Sequence, residues 1–223
     1  MLVLILFGPP GSGKGTQANT ILQNYPNSIY ISTGDILREN IKKNTELGKL
    51  AENYISKGLL VPDEVINSMI QNKFQEINNS NHSKNNKLLI LDGYPRSINQ
   101  LKFLLNLVPI NCIKSVYLKL NLEEVIKRIV YRRICLKCNR IYHLIYNKPK
   151  NNETCDICNE KLHQRSDDKE EIVINRYNVY MNSTLPILQE FKENNISFLE
   201  IDGNQEVEKI SQTILNYLKS TTF

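Results

Sequence analysis

Leu2-Val3-Leu4-Ile5-Leu6-Phe7-Gly8-Pro9-Pro10-Gly11-Ser12-Gly13-Lys14-Gly15-Thr16 decides the fold: a short apolar run, a glycine-rich turn, and a lysine that opens a helical pattern. Glycines let consecutive backbone N–H groups converge on phosphate oxygens. The helix N-terminus adds its partial positive charge, and Lys14 supplies a mobile cation for the β- and γ-phosphates. In this strand-loop-helix setting the stretch reads as a P-loop, with Gly11, Ser12, Gly13, Lys14, Gly15 and Thr16 as the phosphate-binding candidates. It departs from the general pattern in that Gly15, not Ser or Thr, follows the lysine, and Thr16 comes one later. A plain glycine-rich turn is the bland alternative.

Outward from this loop, apolar runs at residues 2–7, 28–31, 88–91, 115–120 and 196–201 alternate with helical patterns starting near Lys14, Asp35, Leu47, Asp63, Ser97, Leu122, Asp168 and Glu206. Such alternation predicts an α/β fold, a three-layer αβα arrangement around a central parallel five-stranded sheet. From Asn121 to Val130, residues 122, 125, 126, 129 and 130 form one apolar stripe, so the charged residues between them face outward. Between about residues 134 and 164 the periodicity breaks into short polar stretches, which predicts a small inserted subdomain.

The 223 residues suffice for one well-buried domain with an insertion, and 41% hydrophobic with 23% charged residues are globular values. A net charge of +5 suits an anionic ligand but falls short of a dedicated nucleic-acid binder. The opening apolar run is too short to cross a bilayer, which takes about 20 residues. It also has neither the basic flank nor the cleavage site of a secretory signal. The chain is therefore expected to be intracellular. The Asn-rich stretch 78–86 reads as an exposed loop. Of the 28 basic residues only eight are arginine, at 38, 96, 128, 132, 133, 140, 165 and 176. In a chain that otherwise uses lysine, they mark places where a planar five-donor fork is needed.

Two further motifs carry chemistry. Leu88-Leu89-Ile90-Leu91-Asp92 is a buried strand ending in a carboxylate, the placement of the aspartate that organises Mg²⁺ in P-loop enzymes. Cys135, Cys138, Cys155 and Cys158 form two C-x-x-C knuckles sixteen residues apart, a spacing that closes a tetrahedral Cys₄ zinc site with no open position. Paired disulfides or a redox dithiol are the alternatives. Cys112 is left over in an apolar neighbourhood and is expected to be buried and inert. His143 and His163 flank the knuckles, while His82 lies in the polar loop.

The sequence resembles the adenylate kinases, and does so through several motifs in order. These are the P-loop with Gln17, Ser32-Thr33-Gly34-Asp35-Ile36-Leu37-Arg38, Asp92-Gly93-Tyr94-Pro95-Arg96, Arg128-Ile129-Val130-Tyr131-Arg132-Arg133, Ile141-Tyr142-His143, Arg165-Ser166-Asp167-Asp168, Arg176 and Asp202-Gly203. The match runs through nearly the whole chain. It implies one catalytic domain over residues 1–223 with a helical AMP-binding insertion at 32–61 and a zinc lid at 134–164. It also implies the reversible transfer of a phosphoryl group from Mg-ATP to AMP, giving two ADP.

Carried onto these positions, the family's roles place AMP's adenine against Thr33 and Gln100 and its phosphate against Arg38 and Arg96. Leu59, Leu60, Val61, Gly93, Tyr94 and Pro95 line that pocket. Lys14, Arg132, Arg165 and Arg176 take the transferring phosphoryl group, with Asp92 on Mg²⁺ and Arg165 and Arg176 reaching AMP as well. Arg128, Ile141 and Tyr142 pack around ATP's adenine and ribose, and near Gln205 the contact to the base is from backbone. Arg128 and Arg132 are expected four apart on one helix face, and Asp167 and Asp168 as helix-capping carboxylates that also orient arginines. His143 is expected near the nucleotide or on the lid surface, with Arg133 and Arg140 on the lid or the protein surface.

The resemblance further implies structural Zn²⁺, a monomer in the cytoplasm, and no nucleic-acid or membrane partner. A GTP:AMP phosphotransferase or a UMP/CMP kinase of the same fold is the nearest alternative, since the donor base is read largely by backbone. A nucleic-acid-binding zinc-ribbon ATPase is the alternative from another class, and the lid lacks the aromatic platform it would use.

Overall fold

A computed structural model describes residues 1–79, 88–138, 140–151 and 153–220. Strand β1 (Leu2–Phe7) feeds helix α1 (Lys14–Asn24), followed by β2 (Ile29–Ser32), α2 (Thr33–Lys42), α3 (Glu46–Ile55) and α4 (Asp63–Asn79). Then come β3 (Leu88–Asp92), α5 (Ile98–Leu107), β4 (Ile113–Lys119), α6 (Leu122–Val130), and three short strands, β5 (Arg132–Cys135), β6 (Ile141–His143) and β7 (Leu162–His163). The chain closes with α7 (Glu170–Val179), a π-helical turn at Tyr180–Thr184, α8 (Ile187–Glu193), β8 (Ser197–Asp202) and α9 (Val207–Lys219).

The five long strands are parallel and ordered β2-β3-β1-β4-β8, as the apolar runs predicted. Because successive side chains of a strand point to opposite faces, each strand serves two cores. Val3, Ile5, Phe7, Leu89, Leu91 and Ile113 pack under α4, α5 and α8. Leu4, Leu6, Leu88, Ile90, Val116 and Leu118 pack under α1 and α9. This two-sided burial explains why the strands read as continuous apolar runs rather than alternating ones. The chain crosses from one side of β1 to the other between β3 and β4, so a ligand crevice is expected at the carboxyl end of β1, where the P-loop begins.

Helix starts are set by local caps: Ser32, Thr45, Ser97 and Asn121 each accept a backbone N–H three residues on. The α6 stripe is buried through Val125 and Ile129 against Val173 of α7. Helix α8 follows Pro186 and had no separate signal among the sequence starts. The expected loop at 78–86 begins inside the last turn of α4, and its remainder, with His82, lies outside the described residues. Cys112 is half-buried in a 3₁₀ turn and packs on the larger core.

Residues 32–61 contain α2 and α3, which pack so closely at Gly48 that a Cβ there would stand 2.2 Å from the Asn40 carbonyl oxygen. Residues 134–164 carry a separate antiparallel sheet, ordered β6-β5-β7. Its core is small: Cys135, Tyr142, Cys155 and Leu162. Among the described residues no helix is long and apolar enough to cross a membrane.

Gly48→Ala must push α2 away from α3. It is expected to destabilise the protein by about 1–3 kcal/mol, read as a lower denaturant midpoint in urea unfolding with an unchanged slope.

Candidate active site

The P-loop owes its shape to positive φ angles at Gly8 (145°), Gly11 (75°) and Gly13 (96°), conformations that L-residues with a Cβ avoid. At Gly8 a side chain would also collide with the Leu118 carbonyl oxygen, 2.5 Å away. Lys14 Nζ folds back to donate to the carbonyls of Gly8 (2.9 Å) and Pro9 (2.8 Å), with Ser12 Oγ at 3.3 Å. Loss of solvation pulls the Lys14 pKa down to about 8. Asp92 opposes the shift, while Arg96, Arg176 and Arg132 reinforce it. The ammonium thus lies within electrostatic reach of three of the arginines singled out by sequence.

Those arginines converge. Arg132 grips Asp168 with two donors, Nε to Oδ2 at 2.9 Å and Nη2 to Oδ1 at 2.5 Å, and Asp168 is fully buried. Arg176 Nη1 pairs with Asp167 Oδ2 at 2.9 Å, bonds the Asp167 carbonyl at 3.0 Å, and sits 3.6 Å from Asp168 Oδ1. Arg38 pairs with Asp35, which also draws Arg165 Nη2 to 3.8 Å. Burial pulls the Arg165 and Arg176 pKa values down to about 10, with Arg132 adding to the shift in both. Arg165 Nε is buried with no hydrogen-bond partner. A buried charged donor left unsatisfied among like charges is the signature of a place built for an anion.

Two sequence expectations need correction here. Arg132 is not on α6 with Arg128; the helix ends at Val130 and Arg132 opens β5, so it belongs to the first strand of the small antiparallel sheet. Asp167 and Asp168 do not cap α7, whose N-cap position is Lys169 with no side-chain cap. They lie in the preceding 3₁₀ turn and serve the arginines instead.

Asp92 ends β3 beside the loop. Its Oδ2 accepts from the Tyr30 hydroxyl at 2.9 Å and lies 3.8 Å from where a Cβ on Gly15 would stand. A carboxylate next to the phosphate loop, with Thr16 exposed at the helix start, is the oxygen donor set that Mg²⁺ takes.

On the other side of the crevice, Thr33 Oγ1 donates to the Gly93 carbonyl at 2.8 Å, and Arg96 Nε donates to the same carbonyl at 2.9 Å. A Cβ on Gly93 would stand 2.6 Å from Arg96 Nη2, so glycine is what lets the guanidinium lie there. Gln100 is buried, its Oε1 accepting from Arg96 N at 2.7 Å and its Nε2 donating to Asp63 Oδ1 at 2.7 Å. The Tyr94 ring does not face the crevice. It is buried in the larger core, with its hydroxyl donating to Asn67 Oδ1 at 2.8 Å. Pro95 and Val61 are buried, while Leu59 is exposed and Leu60 half-buried.

Arg128 Nη2 donates to the Gly203 carbonyl at 2.8 Å, bringing it to the turn that carries Gln205. Ile141 is exposed, and the Tyr142 ring is 1% exposed inside the core of the small antiparallel sheet. Tyr142 Oη contacts Cys155 Sγ at 3.4 Å and accepts from Asp156 N at 2.8 Å. His143, at the end of β6, is stacked on Tyr146. Its Nδ1 accepts two backbone N–H groups and its Nε2 lies 3.1 Å from the Lys127 carbonyl. Arg133 bonds the Val130 and Arg132 carbonyls, Arg140 is exposed over the Tyr142 ring, and His163 is exposed.

The four knuckle sulfurs lie within 4.8 Å of one another. Cys135 and Cys158 are 3.3 Å apart and Cys138 and Cys155 3.5 Å, far beyond the ~2.05 Å of a disulfide. A tetrahedron of sulfurs at ~2.3 Å from one centre has edges of this order, so the donor set is compatible with structural zinc.

Tyr30 and Asp63 were not singled out by sequence. A tyrosine within a strand and an aspartate opening a helix have ordinary structural uses, and only the fold brings them to Asp92 and Gln100.

A family model described as adenylate kinase matches residues 6–196. Proteins named adenylate kinase are similar along nearly their whole length. That of Petrotoga mobilis is 42% identical over 220 residues, 97% of each chain. That of Acetivibrio thermocellus is 44% identical over 221 residues, 96% of this chain and 97% of the relative. That of Archaeoglobus fulgidus is 42% identical over 224 residues, 97% of this chain and 99% of the relative.

Burial alone would raise the Asp167 pKa, but Arg176, Arg38, Arg132 and Arg165 outweigh it and hold the carboxyl below its ordinary range. The stabilisation is therefore complete above the unfolded value, about 3.9, and is lost as pH falls through the lower folded value. Asp167→Asn should cost about 3 kcal/mol at pH 7. Its unfolding free energy should also vary less than the wild type's below about pH 4, as urea titrations across pH will read.

Proposed function

The chain belongs to the adenylate kinase family, and from that premise we propose how its residues divide the work of moving a phosphoryl group from Mg-ATP to AMP to give two ADP. Lys14 and the P-loop N–H groups hold the ATP phosphates. Arg128, Ile141 and the backbone near Gln205 flank the adenine and ribose. Thr33, Gln100, Gly93 and the 59–61 segment form the AMP pocket, with Arg38 and Arg96 on its phosphate. Residues 32–61 act as the AMP-binding insertion and 134–164 as the lid.

The observation that carries this reading is the cluster of guanidinium groups around Lys14, with Arg165 Nε buried and unpartnered. Phosphoryl transfer between nucleotides brings two polyanions together. It needs fixed positive charge aimed at the equatorial oxygens and little acid–base machinery. Arg132, Arg165 and Arg176 come from the lid root and α7, so covering the substrates with the lid completes the charge constellation while excluding water. Water in the site would convert transfer into hydrolysis. On binding, Lys14 exchanges the Gly8 and Pro9 carbonyls for phosphate oxygens.

Asp92 and Thr16 are the residues that would hold Mg²⁺, which would offset negative charge on the transferring phosphate. Cys135, Cys138, Cys155 and Cys158 would hold zinc, fixing a lid whose own apolar core is too small to do so. The enzyme works as a cytoplasmic monomer on ATP, AMP and ADP. No observation favours GTP as donor or a pyrimidine nucleotide as acceptor.

Purified protein should convert ATP and AMP stoichiometrically to ADP, and a two-headed analogue joining two adenosines through five phosphates should compete with both substrates. Failure of AMP conversion would sink the assignment. Arg132→Lys keeps the charge but loses the fork on Asp168, and should lower kcat by on the order of 10²-fold while the far-UV circular dichroism remains that of the folded enzyme. Native mass spectrometry should find one zinc per chain, absent in the Cys138→Ser variant, whose lid should become protease-sensitive.

A further inference from the structure

We propose that Asp63 is a positioning residue for acceptor-base selection, acting by fixing which way the Gln100 amide points. The inference rests on the AMP pocket proposed above and deepens it.

A glutamine amide presents an acceptor oxygen and a donor nitrogen of nearly equal size, so rotating it by half a turn exchanges the two at almost no steric cost. At Gln100 that freedom is removed from both ends. Oε1 accepts the Arg96 backbone N–H at 2.7 Å, and Nε2 donates to Asp63 Oδ1 at 2.7 Å. A flip would set the amide oxygen against a carboxylate and the amide nitrogen against an N–H, losing two hydrogen bonds and creating two repulsive contacts inside a buried site. Asp63 is an effective lock because an ionised carboxylate only accepts. It is itself held, its Oδ2 taking the Ser97 hydroxyl at 2.7 Å, while Ser97 Oγ accepts the Gln100 N–H at 3.1 Å as the cap of α5. The Tyr94 hydroxyl, at 3.0 Å from the Gln100 carbonyl, pins the backbone of the same residue.

With those contacts made, one Nε2 proton and one Oε1 lone pair remain for a ligand. Adenine offers a donor at its 6-amino group and an acceptor at N1, which this fixed amide edge can meet. Hypoxanthine has the same size and ring shape but the opposite pattern, an acceptor at O6 and a donor at N1. A locked amide therefore favours AMP over IMP, whereas a free amide would turn to serve either. Asparagine at 63 removes one of the two restraints with little change in shape, because its own amide can offer either an oxygen or an N–H to Gln100, and the Arg96 N–H is left as the other. Arg96, with its phosphate-facing guanidinium, stays in place.

The test is steady-state kinetics of the purified enzyme with ATP as donor and AMP or IMP as acceptor, for wild type, Asp63→Asn and Ser97→Ala. In Asp63→Asn the ratio of kcat/KM for AMP over IMP should fall by about fivefold, the scale of one of the two restraints lost. KM for AMP should rise while KM for ATP holds. Ser97→Ala loosens the carboxylate rather than removing it, so it should shift the ratio the same way by less, and it decides the matter if Asp63→Asn fails to fold. An unchanged AMP-to-IMP ratio in the folded variants, or equal rises in KM for ATP and AMP, would overturn the proposal and leave Asp63 a structural residue. Absence of AMP phosphorylation by the wild type would instead overturn the functional reading beneath it.

Discussion

Mutual repulsion among guanidinium groups is the constraint around which this molecule is organised. Five arginines and a lysine aimed at one crevice would not stay there unaided. Asp168, buried beneath Arg132 and within 3.6 Å of Arg176, and Asp167, paired with Arg176, hold them in place. The balance is deliberately incomplete. Asp35 shares itself between Arg38 and Arg165, and Arg165 keeps an unpartnered buried Nε. Full neutralisation would give a stable surface with no appetite for phosphate, and no neutralisation would push the loops apart. What the arginines lack is what two nucleotides bring.

The sheet supplies the geometry for that arrangement. Parallel strands buried on both faces put their carboxyl ends on one rim, so β1 delivers the P-loop and β3 delivers Asp92 side by side. Helices on the two faces then carry α2 and the start of the small antiparallel sheet to the same rim. The proposed acceptor pocket is tied to this frame through backbone groups as well as side chains. Thr33 and Arg96 both donate to Gly93 O, and Gln100 is fastened at both ends of its amide.

Much of this was legible in the sequence because it rests on patterns with short range: apolar runs of fixed length, glycines at a turn, cysteines two apart. The five strands followed from such runs to within two residues at either end. Roles that depend on where a helix stops were less legible. Nothing between Arg128 and Arg132 announces that α6 ends at Val130, so the helical spacing was carried too far. The Tyr142 hydroxyl meets Cys155 and the Asp156 amide, 13 and 14 residues along the chain, a packing that the local sequence does not announce. Tyr30 and Asp63 act through partners 62 and 37 residues away, at separations no local pattern encodes.

The folded-back Lys14 bears on how the loop treats other anions. With its ammonium already bonded to two carbonyls and near a hydroxyl, a newcomer must replace those contacts before it gains any. A lone inorganic anion reaching Lys14 must first displace two carbonyls, which offsets part of what the new ion pair contributes. A triphosphate, chelated at the same moment by several loop amides and arginines, gains far more than it displaces. The loop's own carbonyls thereby act as a filter against small competing ions, favouring ligands whose charges come linked in a row.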